Sequence, residues 1–140
     1  MNDIYPEELD LKHENSDNDK CASYLDLKLD VTNKETVKSL YDTRDDFPFK
    51  IVNFPNLSGN IPQDGSYGVF IAQTLRYAKA CSKYADFIER ALLLKKQLVR
   101  QNFKSHALDR KLLKWMQRSD KAIVIKKFRI NMTKIISELK

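Results

Sequence analysis

The sequence predicts a small α+β protein: a short N-terminal antiparallel β-hairpin or sheet, a proline-containing connector, and a C-terminal bundle of three to four helices. Three observations carry this. Apolar and polar residues alternate across residues 24–31, prolines interrupt residues 42–64, and from Tyr67 onward apolar residues recur at spacings of three and four. A chain of 140 residues supports one domain with a modest core. Residues 1–65, acidic and β-rich, and residues 66–140, basic and helical, therefore read as two segments of one structural unit.

Taken in order, Leu9 and Leu11 alternate with acidic residues across residues 8–12, a short strand pattern, and the polar residues 13–20 follow as a loop. YLDLKLDV at residues 24–31 is the clearest strand. It sets Leu25, Leu27, Leu29 and Val31 on one face and Asp26, Lys28 and Asp30 on the other. Residues 32–35 supply turn chemistry, and residues 37–41 return antiparallel, leaving one face wet. In residues 42–64 three prolines, a lone glycine and seven bulky apolar residues exclude regular helix and predict an extended, packed connector. Residues 51–54 could add an edge strand there, limited by Pro48 and Pro55.

The first helix follows Pro62, with Ser66 as N-cap and Tyr67, Phe70, Ile71, Thr74, Tyr77, Ala78 and Cys81 in one stripe. Arg76, Lys79 and Lys83 fall together opposite that stripe. A second helix over about residues 86–101 buries Phe87, Ile88, Ala91, Leu94, Leu98 and Val99 and pairs Asp86 with Arg90 at i,i+4 spacing. Lys96 and Arg100 face away, Lys95 falls on the apolar side, where it either snorkels along its stem or reaches a groove between helices, with snorkelling favoured, and Asn102 supplies a left-handed helix end. A third helix over about residues 105–118 buries Leu108, Leu112, Trp115 and Met116 and turns Arg110, Lys111, Lys114 and Arg118 outward. Residues 122–140 extend the helical segment through a stripe of Met132, Ile135, Ile136 and Leu139.

Charge is sorted along the chain. Residues 1–70 hold fourteen acidic and seven basic residues, while residues 71–140 hold five and eighteen, so a formal charge of −7 faces one of +13. A segregation this steep suits the second segment to a polyanion such as a nucleic-acid backbone. Basic helix faces are also often simply solvated surface. The aromatic residues Tyr67, Phe70 and Tyr77 lie on the apolar stripe and read as core rather than as stacking platforms.

Other chemistries find little footing. Cys21 and Cys81 are too few for a disulfide framework and lack zinc spacing, so they read as reduced thiols of an intracellular protein. His13 and His106 have no partner suited to a metal site. Ser66, Ser82 and Ser105 have no spaced base to activate them. The glycines form no phosphate loop, and no apolar run reaches the roughly 20 residues of a membrane span, so no membrane partner is expected. Asp45 with Asp46, and Asp3 with Glu7 and Glu8, are the acidic pairs available to a cation, but a two-metal site is assembled from separate strands. No metal or other cofactor is expected.

The order SYLDLKLDV, SLYDTRDDFPFKIVNFPNLSGNIP and SYGVFIAQTLRYAKACSKYADFIERALLLKKQLVRQNF resembles the distal palm and thumb region of reverse transcriptases encoded by animal retroelements, and more distantly Penelope-like elements. The likeness covers residues 4–103, with LYDTRDDFPFKIVNFP its most specific run. Thr43 stands where Lys is expected in relatives, and Asn102 where Gly is. Such enzymes place the catalytic YxDD motif just upstream of IYPEEL, so the resemblance implies a fragment that lacks the polymerase carboxylates. It would be inactive alone, with Mg2+ needed only in a full-length relative. Residues 25–41 would then lie in the primer-grip neighbourhood. Arg76, Lys79, Lys83, Lys96, Arg100, Arg110, Lys111, Lys114 and Arg118 would face the phosphates of a template and primer duplex.

The expected activity is weak, sequence-independent binding to the RNA or DNA backbone, carried by cations that point into one electropositive surface. With roughly five to eight phosphates contacted, the log–log salt slope is of order −4 to −7. Two alternatives remain: a module that sets its basic helices against an acidic protein, and an incomplete gene model of a full RNA-directed DNA polymerase with its palm and fingers upstream. If a larger palm sheet once continued the hairpin, the face bearing Leu25, Leu27, Leu29 and Val31 must find cover on the helices or in self-association.

Overall fold

A computed structural model describes residues 21–32, 35–49, 51, 54–118 and 123–140. The strand expected at residues 8–12, the loop at residues 13–20, and the acidic group Asp3, Glu7 and Glu8 lie outside the described residues. The architecture is α+β, a three-stranded antiparallel sheet followed by helices.

The sheet consists of β1 (Cys21–Tyr24), β2 (Leu27–Thr32) and β3 (Glu35–Leu40) in the order β1-β2-β3. The single strand expected over residues 24–31 is instead cut by a turn. Tyr24 pairs with Leu27, leaving Leu25 and Asp26 as a two-residue connection, and Leu25 adopts φ 52°. A hairpin this tight needs positive φ at its first central position, where glycine is the usual occupant. Leu25 is consequently 77% exposed. The return strand follows expectation, with Leu27 opposite Leu40 and Leu29 opposite Lys38. Of the expected apolar face, Leu27 and Leu29 are half-buried and Val31 is exposed, while their neighbour Leu40 enters the core.

The connector begins with a 3-10 turn, Thr43–Asp46, capped by Asp42, whose carboxylate accepts from the Arg44 backbone N–H. It is less packed than the sequence suggests. Leu57 is buried and Phe54 partly so, but Phe47, Phe49 and Ile51 are exposed. Neither Ile51 nor Phe54 lies in a strand, and the residues between them are outside the described set.

The helices are α1 (Gln63–Ser66), α2 (Gly68–Ala80), α3 (Tyr84–Arg100), α4 (Ser105–Gln117), α5 (Ile123–Phe128) and α6 (Met132–Glu138). Ser66 is not an N-cap: it closes α1, and its hydroxyl donates to the Pro62 carbonyl at 2.7 Å. On α2, Tyr67, Phe70, Thr74, Tyr77, Ala78 and Cys81 are buried in the expected stripe. The helix ends at Ala80, and the Lys127 ammonium donates to the Ala78 and Lys79 carbonyls at 2.7 and 3.1 Å, a favourable place for a cation. Burial pushes the Cys81 thiol up, which suits a packing role.

On α3 the expected core residues Phe87, Ala91, Leu94 and Leu98 are buried, whereas Val99 is exposed. Its end is a Schellman arrangement. Phe103 N–H reaches the Leu98 carbonyl, Asn102 N–H reaches that of Val99, both at 3.1 Å, and Asn102 takes φ 66°. The Asn102 side chain then donates to Asn56 Oδ1 at 2.7 Å, and Leu57 N–H donates to the Gln101 carbonyl at 2.9 Å. Lys95 does not snorkel. It is 4% exposed, and its ammonium donates to Asp109 Oδ1 on α4 at 2.6 Å and to the Leu139 carbonyl after α6 at 2.8 Å. One buried cation thus ties three helices together.

Leu108, Leu112 and Met116 of α4 and Ile135 of α6 complete the core, together with Val124 and Leu139. The C-terminal segment is two helices, broken at Arg129, which has φ 53°. Tyr84 donates to Glu138 at 2.5 Å, and burial followed by that carboxylate pushes its phenol well up.

Candidate nucleic-acid interface

The nine cations expected to face phosphates are all exposed. Arg76 and Lys79 share the outer face of α2, but Lys83 does not continue it, because α2 has already ended and Lys83 is the N-cap of α3. Lys96 and Arg100 lie one turn apart on α3. Arg110, Lys111 and Lys114 occupy the outer face of α4, and Arg118 is its C-cap. Arg110 and Lys114 stand at i,i+4, a spacing at which like charges repel by a few tenths of a kcal/mol. Among the described residues, no carboxylate within ion-pair distance relieves them.

Two arginines are drawn toward the acidic segment. Arg76 forms an ion pair with Asp26 in the β1–β2 turn, so its charge is partly met inside the molecule. Arg90 does not pair with Asp86 at the helical spacing. It donates instead to Asp45 at 2.6 Å and to the Leu40 carbonyl at 3.2 Å. A guanidinium can satisfy a carboxylate and a strand-end carbonyl at once, which an i,i+4 contact cannot offer. Ser82 adds another tie: its N–H donates to the Lys38 carbonyl at 2.7 Å, and its Oγ accepts from Lys38 N–H at 3.1 Å. Arg76 is therefore turned toward the sheet, while Lys96 and Arg100 of α3 and Arg110, Lys111, Lys114 and Arg118 of α4 are exposed and, among the described residues, form no ion pair.

Other candidate residues have structural occupations. Tyr67 and Phe103 meet edge-to-face at 5.2 Å, and Tyr67 OH accepts from Lys104 N–H. Tyr67, Phe70 and Tyr77 are thus core, as their stripe predicts. The Asp45 carboxylate serves Arg90, and Asp46 accepts from Tyr41 OH at 2.5 Å. No group of three or more His, Cys, Asp or Glu able to hold a metal occurs among the described residues. Nor, among those residues, is any helix long and apolar enough to cross a membrane.

A cavity of about 330 Å³ opens between the connector and the C-terminal end of α3, lined by Arg44, Phe47, Phe49 and Phe54 of the connector and by Gln97 and Arg100 of α3. Arg44 is clamped by both Asp42 oxygens, and that hydrogen bond, ahead of the opposing effect of burial, holds the Asp42 carboxyl below the usual range. The bulky apolar residues of the connector were the available sign of such a lining. Nothing in their spacing marks which of them stay outside the core.

Compared with protein-family models, with curated proteins and with solved structures, the chain matches none.

Proposed function

We propose that the protein binds nucleic-acid backbone without sequence preference, through the outward cations of α4 and the C-terminal half of α3, as a non-catalytic reverse-transcriptase-like thumb. One observation supports this above the others: Arg110, Lys111, Lys114 and Arg118 are all exposed and, among the described residues, have no carboxylate to neutralise them. A run of like charges left unpaired costs stability, and a polyanion removes that cost while gaining counterion release. The resemblance in LYDTRDDFPFKIVNFP supports the reverse-transcriptase part of the reading.

The test is a set of Glu substitutions at Arg110, Lys111 and Lys114. On this reading they lower affinity for a DNA or RNA duplex by at least about ten-fold at low salt, since phosphate contacts dominate non-specific binding. Arg76→Glu, whose cation is already paired, has a smaller effect. Unchanged binding by the triple variant would remove the proposal. A second reading, docking of an acidic protein, draws on Arg76 and Arg90, which already meet carboxylates within the chain. It predicts that Glu substitutions at Arg76, Lys79 and Lys83 lose a protein partner while wild type retains no nucleic acid.

A further inference from the structure

Most charged groups around the cavity beside α3 cancel in pairs. Asp42 is taken by Arg44, and Asp45 by Arg90. Two donors are left over. Arg100 makes no ion pair among the described residues, and Arg44 Nη1 is the buried side-chain atom among them that has no hydrogen-bond partner. Arg100 is exposed and so presents its guanidinium at the rim, free of any internal carboxylate, where a phosphate can reach it.

Much of the remaining lining is apolar and aromatic. Phe47 and Phe49 are 50% and 62% exposed, with ring centroids 5.3 Å apart and their planes tilted by 41°. Exposed aromatic faces next to a guanidinium are the elements from which proteins build platforms for unpaired bases. At about 330 Å³ the cavity has the scale of a small-molecule site, which begins at roughly 300 Å³. Arg100 also links it to the proposed interface, since it follows Lys96 by one turn on the same exposed face of α3.

We infer that this cavity receives one unstacked nucleotide of a single strand, its base laid on Phe49 and Phe47 and its phosphate held by Arg100. The inference rests on the proposed binding of nucleic-acid backbone and adds what that binding lacks, a preference for single strands. A duplex cannot offer an unstacked base, so it engages the cations of α4 without filling the cavity.

The experiment compares a single-stranded oligonucleotide carrying 2-aminopurine with the duplex of the same length, at one salt concentration. Wild type should quench 2-aminopurine and bind the single strand more tightly. Phe49→Ala should lose about ten-fold in single-strand affinity, as expected for one lost stacking contact, with duplex affinity unchanged. Phe47→Ala should act in the same direction, and circular dichroism spectra matching wild type would show that both variants fold. Retained duplex binding with no single-strand preference, or with Phe49→Ala and Phe47→Ala both silent, would overturn the cavity assignment and leave the backbone reading intact. Binding to neither nucleic acid would overturn both.

Discussion

The helical segment holds itself together, whereas the sheet and connector are fastened to it. Among the described residues, the buried apolar groups before residue 66 are Leu40 and Leu57, while all the others come from Tyr67 onward. Exposure is distributed the opposite way: Leu25, Val31, Phe47, Phe49 and Ile51 lie in the first segment, against Leu93 and Val99 in the second. The first segment is instead joined by discrete polar ties, Lys38 to Ser82, Arg90 to Asp45 and Leu40, and Asn56 to Asn102. Burial of an apolar side chain is worth about 1.5–3 kcal/mol, while an exposed ion pair is worth at most about 1 kcal/mol. Most of the stability therefore resides in the helices, and the connector is free to expose aromatic surface.

The sharpest way to break this contrast is a matched pair of truncations. Phe87→Ala in α3, at a fully buried ring, should cost about 3–5 kcal/mol, while Phe49→Ala in the connector should cost nearly nothing. Urea unfolding reads both, and equal losses would show that the two segments share one core. Next in size is Lys95→Ala, which strands a mostly buried Asp109 and should cost roughly 3 kcal/mol or more. The double variant Lys95→Met with Asp109→Leu should recover most of that loss, because it leaves no unpaired charge.

A smaller effect of opposite sign is expected in the sheet. Leu25→Gly relieves a left-handed residue and should stabilise the hairpin by up to about 1 kcal/mol, less the added freedom of glycine in the unfolded chain. Hydrogen exchange should show the gain in β1 and β2 amides and none in α3. The smallest effect is with pH. Because Arg44 lowers the Asp42 pKa in the folded state, the stabilisation is complete above the unfolded value of about 3.9 and is lost as pH falls through the folded value. Asp42→Asn should flatten that part of an acid-unfolding profile, and an unchanged profile would show that the clamp adds nothing.

The helices were legible because their stripes repeat: Phe70, Thr74, Phe87, Leu94, Leu98, Leu108 and Leu112 are buried where the spacing puts them. Asn102 was legible as well, since a left-handed helix end selects for few residue types. The break at Leu25 was not. Leu25, Leu27, Leu29 and Val31 keep the same alternation through a two-residue turn, and Leu25 is no turn former, so the pattern carries no sign of the interruption. Long-range pairing was equally hidden. Asp86 lies at the helical spacing from Arg90, but the partner is Asp45, 45 residues away, and nothing local marks Asp109 as the counter-charge of Lys95. The expectation of a single cationic surface was incomplete for the same reason, because Arg76 finds Asp26 only once the sheet has folded onto α2.

The most direct measurement of the central claim is the salt dependence of duplex binding by wild type beside the Arg110, Lys111 and Lys114 to Glu variant. The account predicts a log–log slope in KCl of order −4 to −7 for wild type, shallower by about three in the variant. A wild-type slope near zero, or the same slope in both proteins, would contradict it.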